Sequence, residues 1–270
     1  MEPAKELLAN NLYDDALTPR SIEWRESQYL LGKTSYQEGL QCTARSRLNS
    51  DGGGGPAPAK QPSKDLEQAT SAFKSAIEYL SQAVARDEAA QRDRFATEAI
   101  EARYLIAESW RRAARLPRER LKVTSIDTER VAHQRQLQKD LTAAADAHRS
   151  LQEILNAKQE EGELSDLESR LFRNSYFARA DALFDLEQYE EAIQAYSSAT
   201  NRYQHEPESL EAYVQIAACH RQQSRPREAK GTLEQARVVL ARIRPEANFT
   251  QTTRYDRDQW AQLLDWLITF

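Results

Sequence analysis

Hydrophobic positions along the chain recur at spacings of three and four, the signature of helices with one buried face. The clearest stretch is Asn174 to Val239. Tyr176 to Leu183 reads as one helix, Leu186 to Glu191 as a short connection and restart, and Ala192, Tyr196 and Ala199 fall on a single helical face. The pattern returns with Tyr213, Ile216 and Ala217, a break at Ser224-Arg225-Pro226, and a second face of Ala229, Leu233 and Ala236. Ala192 and Ala229 stand 37 residues apart, so the repeating unit is a helix pair. The small residues have a steric reason. Helix axes about 8–10 Å apart leave no room for long side chains where they cross.

Weaker copies lie upstream. Ile22 to Gly39 reads as a first helix with Leu31-Gly32 as its large-small pair and Gly39 as its stop. Its partner spans Asp65 to Arg86, where Ala69, Phe73 and Ala76 repeat the spacing of Ala192, Tyr196 and Ala199. Between them, residues 41–64 carry a glycine run at 52–55, then Pro56, Pro58 and Pro62, and almost no large apolar side chain. That composition predicts a disordered insertion. The next first helix begins near Thr97, with Ile106-Ala107 as the large-small pair and Trp110 following. Its partner starts near Asp127 and carries Leu137, Leu141, Ala144, His148, Leu151 and Leu155, with either Ala144 or Ala147 in the small slot. Residues 115–128, containing Pro117, are expected to form an extra loop.

Two flanking helices are expected. Pro3 to Leu17 carries Leu7, Leu8, Leu12 and Leu17 and stops at Thr18-Pro19. Residues 254–270 form a capping helix whose stripe is Trp260, Leu263, Leu264, Leu267 and Phe270, since a repeat array needs a cover on its last apolar face. The chain then reads as one array: an N-terminal helix over 1–19, repeats over 22–86, 97–157, 174–204 and 209–243, and the cap.

The slots filled by Gly32, Ala69, Phe73, Ala76, Ala107, Ala180, Ala192, Tyr196, Ala199, Ala217, Ala229, Leu233 and Ala236 resemble the tetratricopeptide repeat, with Arg179 departing from its large apolar position. A period longer than the common one of about 34, together with the Tyr203 to Pro207 joint, is similar to envelope-type members such as outer-membrane assembly lipoproteins. The resemblance implies an all-α, right-handed α-solenoid whose first helices line a concave groove. Its function would be a non-catalytic scaffold for a protein or peptide partner. The alternative it implies is a subunit of a bacterial cell-envelope assembly. Carried over by position, the groove rows are Tyr29, Tyr104, Phe177 and Val214; Lys33, Glu108, Asp181 and Ala218; and Tyr36, Arg111, Phe184 and Arg221. The partner-binding candidates among them are Tyr29, Tyr36, Tyr104, Arg111, Phe177, Asp181, Phe184 and Arg221, because aromatics and Arg dominate interface hot spots. The competing reading is that extra helices or long loops cover the rows and make them core. No Lys/Asn pattern for gripping a C-terminal carboxylate stands at these positions.

Composition narrows the rest. The 37 Lys+Arg against 42 Asp+Glu leave a formal charge of −5, which argues against general nucleic-acid binding. No apolar run reaches the roughly 18 residues that a membrane helix needs. No secretory signal is visible at Met1 to Asn10, so the expected compartment is the cytoplasm for a complete chain and the envelope for a fragment of an exported one. Cys42 and Cys219 cannot make a four-thiolate zinc site, and His133, His148, His205 and His220 show no i, i+4 pair, so neither metal nor cofactor is expected. The glycine run is followed by Pro56, not by Lys-Ser/Thr, which removes the phosphate-loop reading. With no nucleophile motif either, catalysis is not expected, and an enzyme or regulator with a small-molecule site stands as a further alternative that no motif supports. The basic run Arg111, Arg112, Arg115, Arg118, Arg120 and Lys122 reads as a solvated helix end or as an anion-facing patch. Asn248-Phe249-Thr250 matches a glycosylation sequon by pattern alone.

Overall fold

The computed structural model describes residues 2–14, 16–18, 21–51, 62–90 and 93–269, and among them every regular element is helical. The chain is an all-α protein built as stacked antiparallel helices, the arrangement of an α-solenoid. It divides into two compact units, residues 1–171 and 172–270.

The first unit holds α1 (Glu2–Tyr13), α2 (Ile22–Asp51), α3 (Lys64–Ala89), α4 (Thr97–Ala113), α5 (Arg115–Val123) and α6 (Asp127–Glu161). In it α2 packs on α3, α3 on α4, and α4 on α6. The first helix is shorter than the leucine spacing suggested: α1 ends at Tyr13, and Leu17 lies in the turn that follows, its N–H donating to the Asp14 carbonyl. Trp24 Nε1 also donates to the Leu12 carbonyl at 3.3 Å, which ties the end of α1 to the start of α2.

Gly39 does not stop α2. A Cβ there would fall 2.5 Å from Phe73 Cε1, and one at Gly32 would fall 2.4 Å from Leu80 Cγ. The two glycines lie seven residues apart on one helical face, opposite Phe73 and Leu80, which are also seven apart on the antiparallel neighbour. They are sites of close approach, which is why α3 can lay large side chains against the backbone of α2. Beyond Gly39 the helix continues, so the disordered insertion expected over 41–64 is corrected at its start, which is helical to Asp51. Residues 41–51 are helical, with Cys42, Thr43 and Ser46 buried, and Ser46 and Ser63 share a hydroxyl hydrogen bond of 2.8 Å. Ser63 caps α3, its side chain accepting from Leu66 N. The glycine run and Pro56 and Pro58 lie outside the described residues. The loop expected over 115–128 is likewise corrected, because α5 occupies most of it. Leu116 and Pro117 are buried on that helix, and Pro is tolerated in a first turn, where its missing N–H costs no helical bond.

The second unit begins within α7 (Asp166–Asp185) and continues through α8 (Tyr189–Arg202), α9 (Glu208–Gln222), α10 (Pro226–Arg242), the one-turn α11 (Phe249–Thr252) and α12 (Arg257–Thr269). Here α8 packs on α9, α9 on α10, and α10 on α12. The turns before α8 and α10 are copies of each other. Glu187 (φ 61°) and Ser224 (φ 59°) are both left-handed. Gln188 N donates to the Leu183 carbonyl and Arg225 N to the His220 carbonyl, the six-to-one bond that closes a helix C-terminus. These turns are 37 residues apart, as Ala192 and Ala229 are. The cap covers a core of Leu233, Val239, Leu240, Phe249, Trp260 and Leu264, and Asn248 caps α11 through its side chain.

Ala69, Phe73, Ala76, Ala107, Ala180, Ala192, Tyr196, Ala199, Ala217, Ala229, Leu233 and Ala236 are each at most 2% exposed. Gly32 is buried with them. On α6 the fully buried Ala144, not the half-buried Ala147, takes the small slot.

Candidate partner-binding face

In the first unit the candidate rows of α2 and α4 come together and tie to each other. Tyr29 is half-buried, and its hydroxyl donates to Glu101 Oε2. Lys33 Nζ reaches Glu101 Oε1 at 2.8 Å and lies 5.6 Å from the centre of the Tyr29 ring. Burial and then the adjacent Glu101 push the Tyr29 phenol well above its ordinary range. Tyr104 is half-buried with its ring edge-on to His148, centroids 6.0 Å apart.

Tyr36 is a correction to the partner-binding set. It is 6% exposed, and its ring packs 5.7 Å from Phe73 in the core. The reason is its place two turns along α2 from Tyr29, beside the glycine-lined approach to α3. Its hydroxyl still accepts from Arg112 Nε at 3.2 Å.

Glu108 is the charged centre of this face, and it is 2% exposed. Arg111 donates to it twice, at 2.8 and 2.9 Å, Arg112 Nη2 stands 3.2 Å from Oε2, and His148 Nε2 lies 3.6 Å from Oε1. Burial alone would raise this carboxyl. The His148 and Arg111 contacts and the two guanidinium charges outweigh burial and hold it far below the usual carboxylate range. Within the basic run Arg111 and Arg112 turn to the buried Glu108, whereas Arg120 pairs with Glu67 at 2.7 Å and Lys122 with Glu119 at 2.9 Å on the exposed surface.

In the second unit the candidates are tied locally. Phe177 stacks obliquely near Tyr203 at 6.2 Å, and Phe184 meets Tyr189 edge-on at 5.7 Å. Asp181 accepts the Tyr196 hydroxyl at 2.6 Å. Arg221 is exposed and donates to the Leu267 carbonyl of α12 at 2.8 Å, so the terminal helix reaches this row.

Sequence reasoning missed Glu101 and the burial of Glu108. Both are carboxylates on a helix that also carries many exposed ones, and only the neighbouring helix distinguishes them. His148 was visible as a member of the α6 stripe. Among the described residues no group of three or more His, Cys, Asp or Glu is arranged to hold a metal. Burial pushes the Cys219 thiol up to about 11, so it stays protonated and a poor nucleophile at neutral pH.

Stacked helix pairs with small residues at the crossings and a polar-aromatic face on the first helices define a helical-repeat class of protein. No protein-family model matches the sequence, and no curated protein sequence is similar to it. Among solved structures, the chain is similar to a de novo designed helical repeat protein at 13% identity and a TM-score of 0.38, covering 91% of this chain and all of that one. No helix among the described residues is long and apolar enough to cross a membrane.

Proposed function

We propose that the chain is a non-catalytic, tetratricopeptide-like scaffold that binds a protein or peptide along the first-helix rows. One observation carries the reading. Tyr29 and Tyr104 stay partly exposed, while the small signature residues of the same helices, Gly32 and Ala107, are buried. A helix face that keeps rings half in water and holds them with neighbouring carboxylates and a lysine is preorganised for contact, and rigid aromatic surface is what interface hot spots use. Phe177, Asp181 and Phe184 offer a second such row in the other unit.

Site-specific photo-crosslinking tests it. A benzoylphenylalanine placed at Tyr104 or at Phe177 is expected to capture a discrete polypeptide in cells. The same probe at Gln194, on the exposed side of α8, is expected not to capture it. Equal capture at all three positions, or capture at Gln194 alone, would overturn the assignment of the binding face.

A further inference from the structure

Beside Tyr29 a cavity of about 520 Å³ opens between the first half of α2, the end of α3 and the start of α4. Such a volume lies in the range of ligand pockets, roughly 300–1,000 Å³. It exists because alanines stand where larger residues would fill it: Ala83 on α3 and Ala99 and Ala102 on α4, with Leu30 and Val84 completing apolar walls. Four carboxylates line it, Glu26, Asp87, Asp93 and Glu98, against two guanidiniums, Arg25 and Arg86. Both guanidiniums are already engaged. Arg86 lies 3.8 Å over the Trp24 ring and donates to Gln28 Oε1 at 3.3 Å. Arg25 Nε donates to the Ser21 carbonyl at 3.1 Å, and its charge faces Asp87. Gln28 is itself 1% exposed and donates to Gln82 Oε1 at 2.7 Å. Glu26, Asp93 and Glu98 are exposed, which leaves an apolar cleft with a negative mouth.

We infer that this cleft takes a large aliphatic or aromatic side chain of a partner peptide whose neighbouring residue is Lys or Arg. The apolar walls accept the first side chain, and the carboxylates at the mouth meet the cation of the second. This rests on the scaffold reading above and specifies the chemistry of its partner at the α2–α4 face. The complementarity selects against acidic peptides as much as it favours basic ones, because a carboxylate brought to this mouth meets like charge.

The test titrates the full chain with acetylated, amidated twelve-residue peptides of Gly-Ser-Ala background, carrying Leu-Arg, Leu-Gln, Ala-Arg or Leu-Glu at the centre, followed by amide NMR. The Leu-Arg peptide is expected to shift the amides of Val84 and Ala99. It should bind about tenfold tighter than either the Leu-Gln or the Ala-Arg peptide, a factor of ten being about 1.4 kcal/mol. Leu-Glu should bind weakest. In the Glu26→Gln, Glu98→Gln double variant, which alters only exposed side chains, the preference for Arg over Gln should shrink to within about twofold. Ala83→Leu, which fills the cavity, should remove binding with the melting temperature kept. Equal binding of Leu-Arg and Leu-Gln, or a preference for Leu-Glu, overturns the inference. If a neutral or acidic peptide shifts Tyr29 and Tyr104 while Val84 and Ala99 stay silent, the inference fails and the scaffold reading stands. If no peptide perturbs Val84 and Ala99, the inference fails, and the crosslinking at Tyr104 and Phe177 decides the scaffold reading separately.

Discussion

In the unit of residues 172–270, helices α8, α9 and α10 hold 14, 15 and 17 residues, whereas α2, α3 and α6 in the unit of residues 1–171 hold 30, 26 and 35. The crossing chemistry is shared: Ala69, Phe73 and Ala76 occupy in one unit the slots of Ala192, Tyr196 and Ala199 in the other, and all are buried. What differs is termination. In the second unit α7 and α9 are each closed by a left-handed residue and a six-to-one bond before the next helix begins. In α2 the glycine that could have served that purpose is used for packing instead, and the helix runs on. The interiors differ too. The first unit buries Glu108, Asp140, His148, Gln28 and Gln152. The second unit builds its core from Leu210, Tyr213, Phe249, Trp260 and Leu264 around the alanine crossings. A slot pattern therefore sets where helices cross, and the residues between slots set how long each helix is and how polar its interior becomes.

The largest expected effects test whether the slots are equivalent. Phe73→Ala and Tyr196→Ala should each cost about 3–5 kcal/mol in urea denaturation of the whole chain, since both rings are 1% exposed. A cost below about 1 kcal/mol at either would break the equivalence. Tyr196→Phe isolates the one polar feature of its slot, the bond to Asp181, and should cost roughly 1 kcal/mol. In the next repeat Leu233 and Ala218 hold these two positions, so no such bond exists there to lose.

Next in size is the polar interior of the first unit. Glu108→Gln should cost about 3 kcal/mol, the lower end of what breaking a buried ion pair costs, because Arg111 and Arg112 keep part of their surface in water. The ionised carboxyl is favoured in the folded state. Its contribution is therefore complete above the unfolded value of about 4.3 and is lost as pH falls toward the depressed folded value. Stability measured between about pH 5 and pH 3 should fall less steeply in Glu108→Gln than in the native chain. An unchanged acid slope would remove Glu108 as the acid-sensitive tie.

Most of the helix order was legible because helical periodicity is a local signal: the starts at Thr97 and Asp127 and the stripe from Leu137 to Leu155 follow from spacing alone. The Ala and aromatic slots were legible for the same reason. The continuation of α2 past Gly39 was not, since a glycine that ends a helix and one that admits a neighbour's Phe73 look alike until the neighbour is placed. The α5 helix was hidden by Pro117, which reads as a breaker unless it stands in a first turn. Of the candidate face, Tyr29, Tyr104 and Arg111 came from the rows that the tetratricopeptide resemblance implies. The division between half-exposed Tyr29 and buried Tyr36 was not, because it depends on how closely α3 approaches.

Gly39→Ala measures that approach directly. Alanine gains roughly 1 kcal/mol of helix propensity over glycine. Against that, its methyl would overlap the Phe73 ring, and Phe73 has no space to withdraw into, so overpacking should cost about 1–3 kcal/mol. The expected net is a loss of about 1 kcal/mol, restored in the pair Gly39→Ala with Phe73→Leu. A net gain from Gly39→Ala alone would show that the Phe73 ring does not press on this position, and the close-approach role would be dropped.

The smallest effect has the opposite sign and belongs to the second unit. A left-handed backbone costs an L-residue roughly 1–2 kcal/mol, and glycine avoids that cost. Glycine also loses more chain entropy on folding, by roughly 0.5–1 kcal/mol. Glu187 and Ser224 are exposed, so replacing either removes no buried contact. Glu187→Gly and Ser224→Gly should therefore each stabilise by about 0.5–1 kcal/mol, and by similar amounts, because the two turns share φ and hydrogen bonding. Gln222→Gly, two residues earlier and inside α9, should lose roughly 1 kcal/mol. If Glu187→Gly and Ser224→Gly both destabilise as Gln222→Gly does, the turns are not the left-handed stops that end α7 and α9, and the contrast with α2 would need another cause.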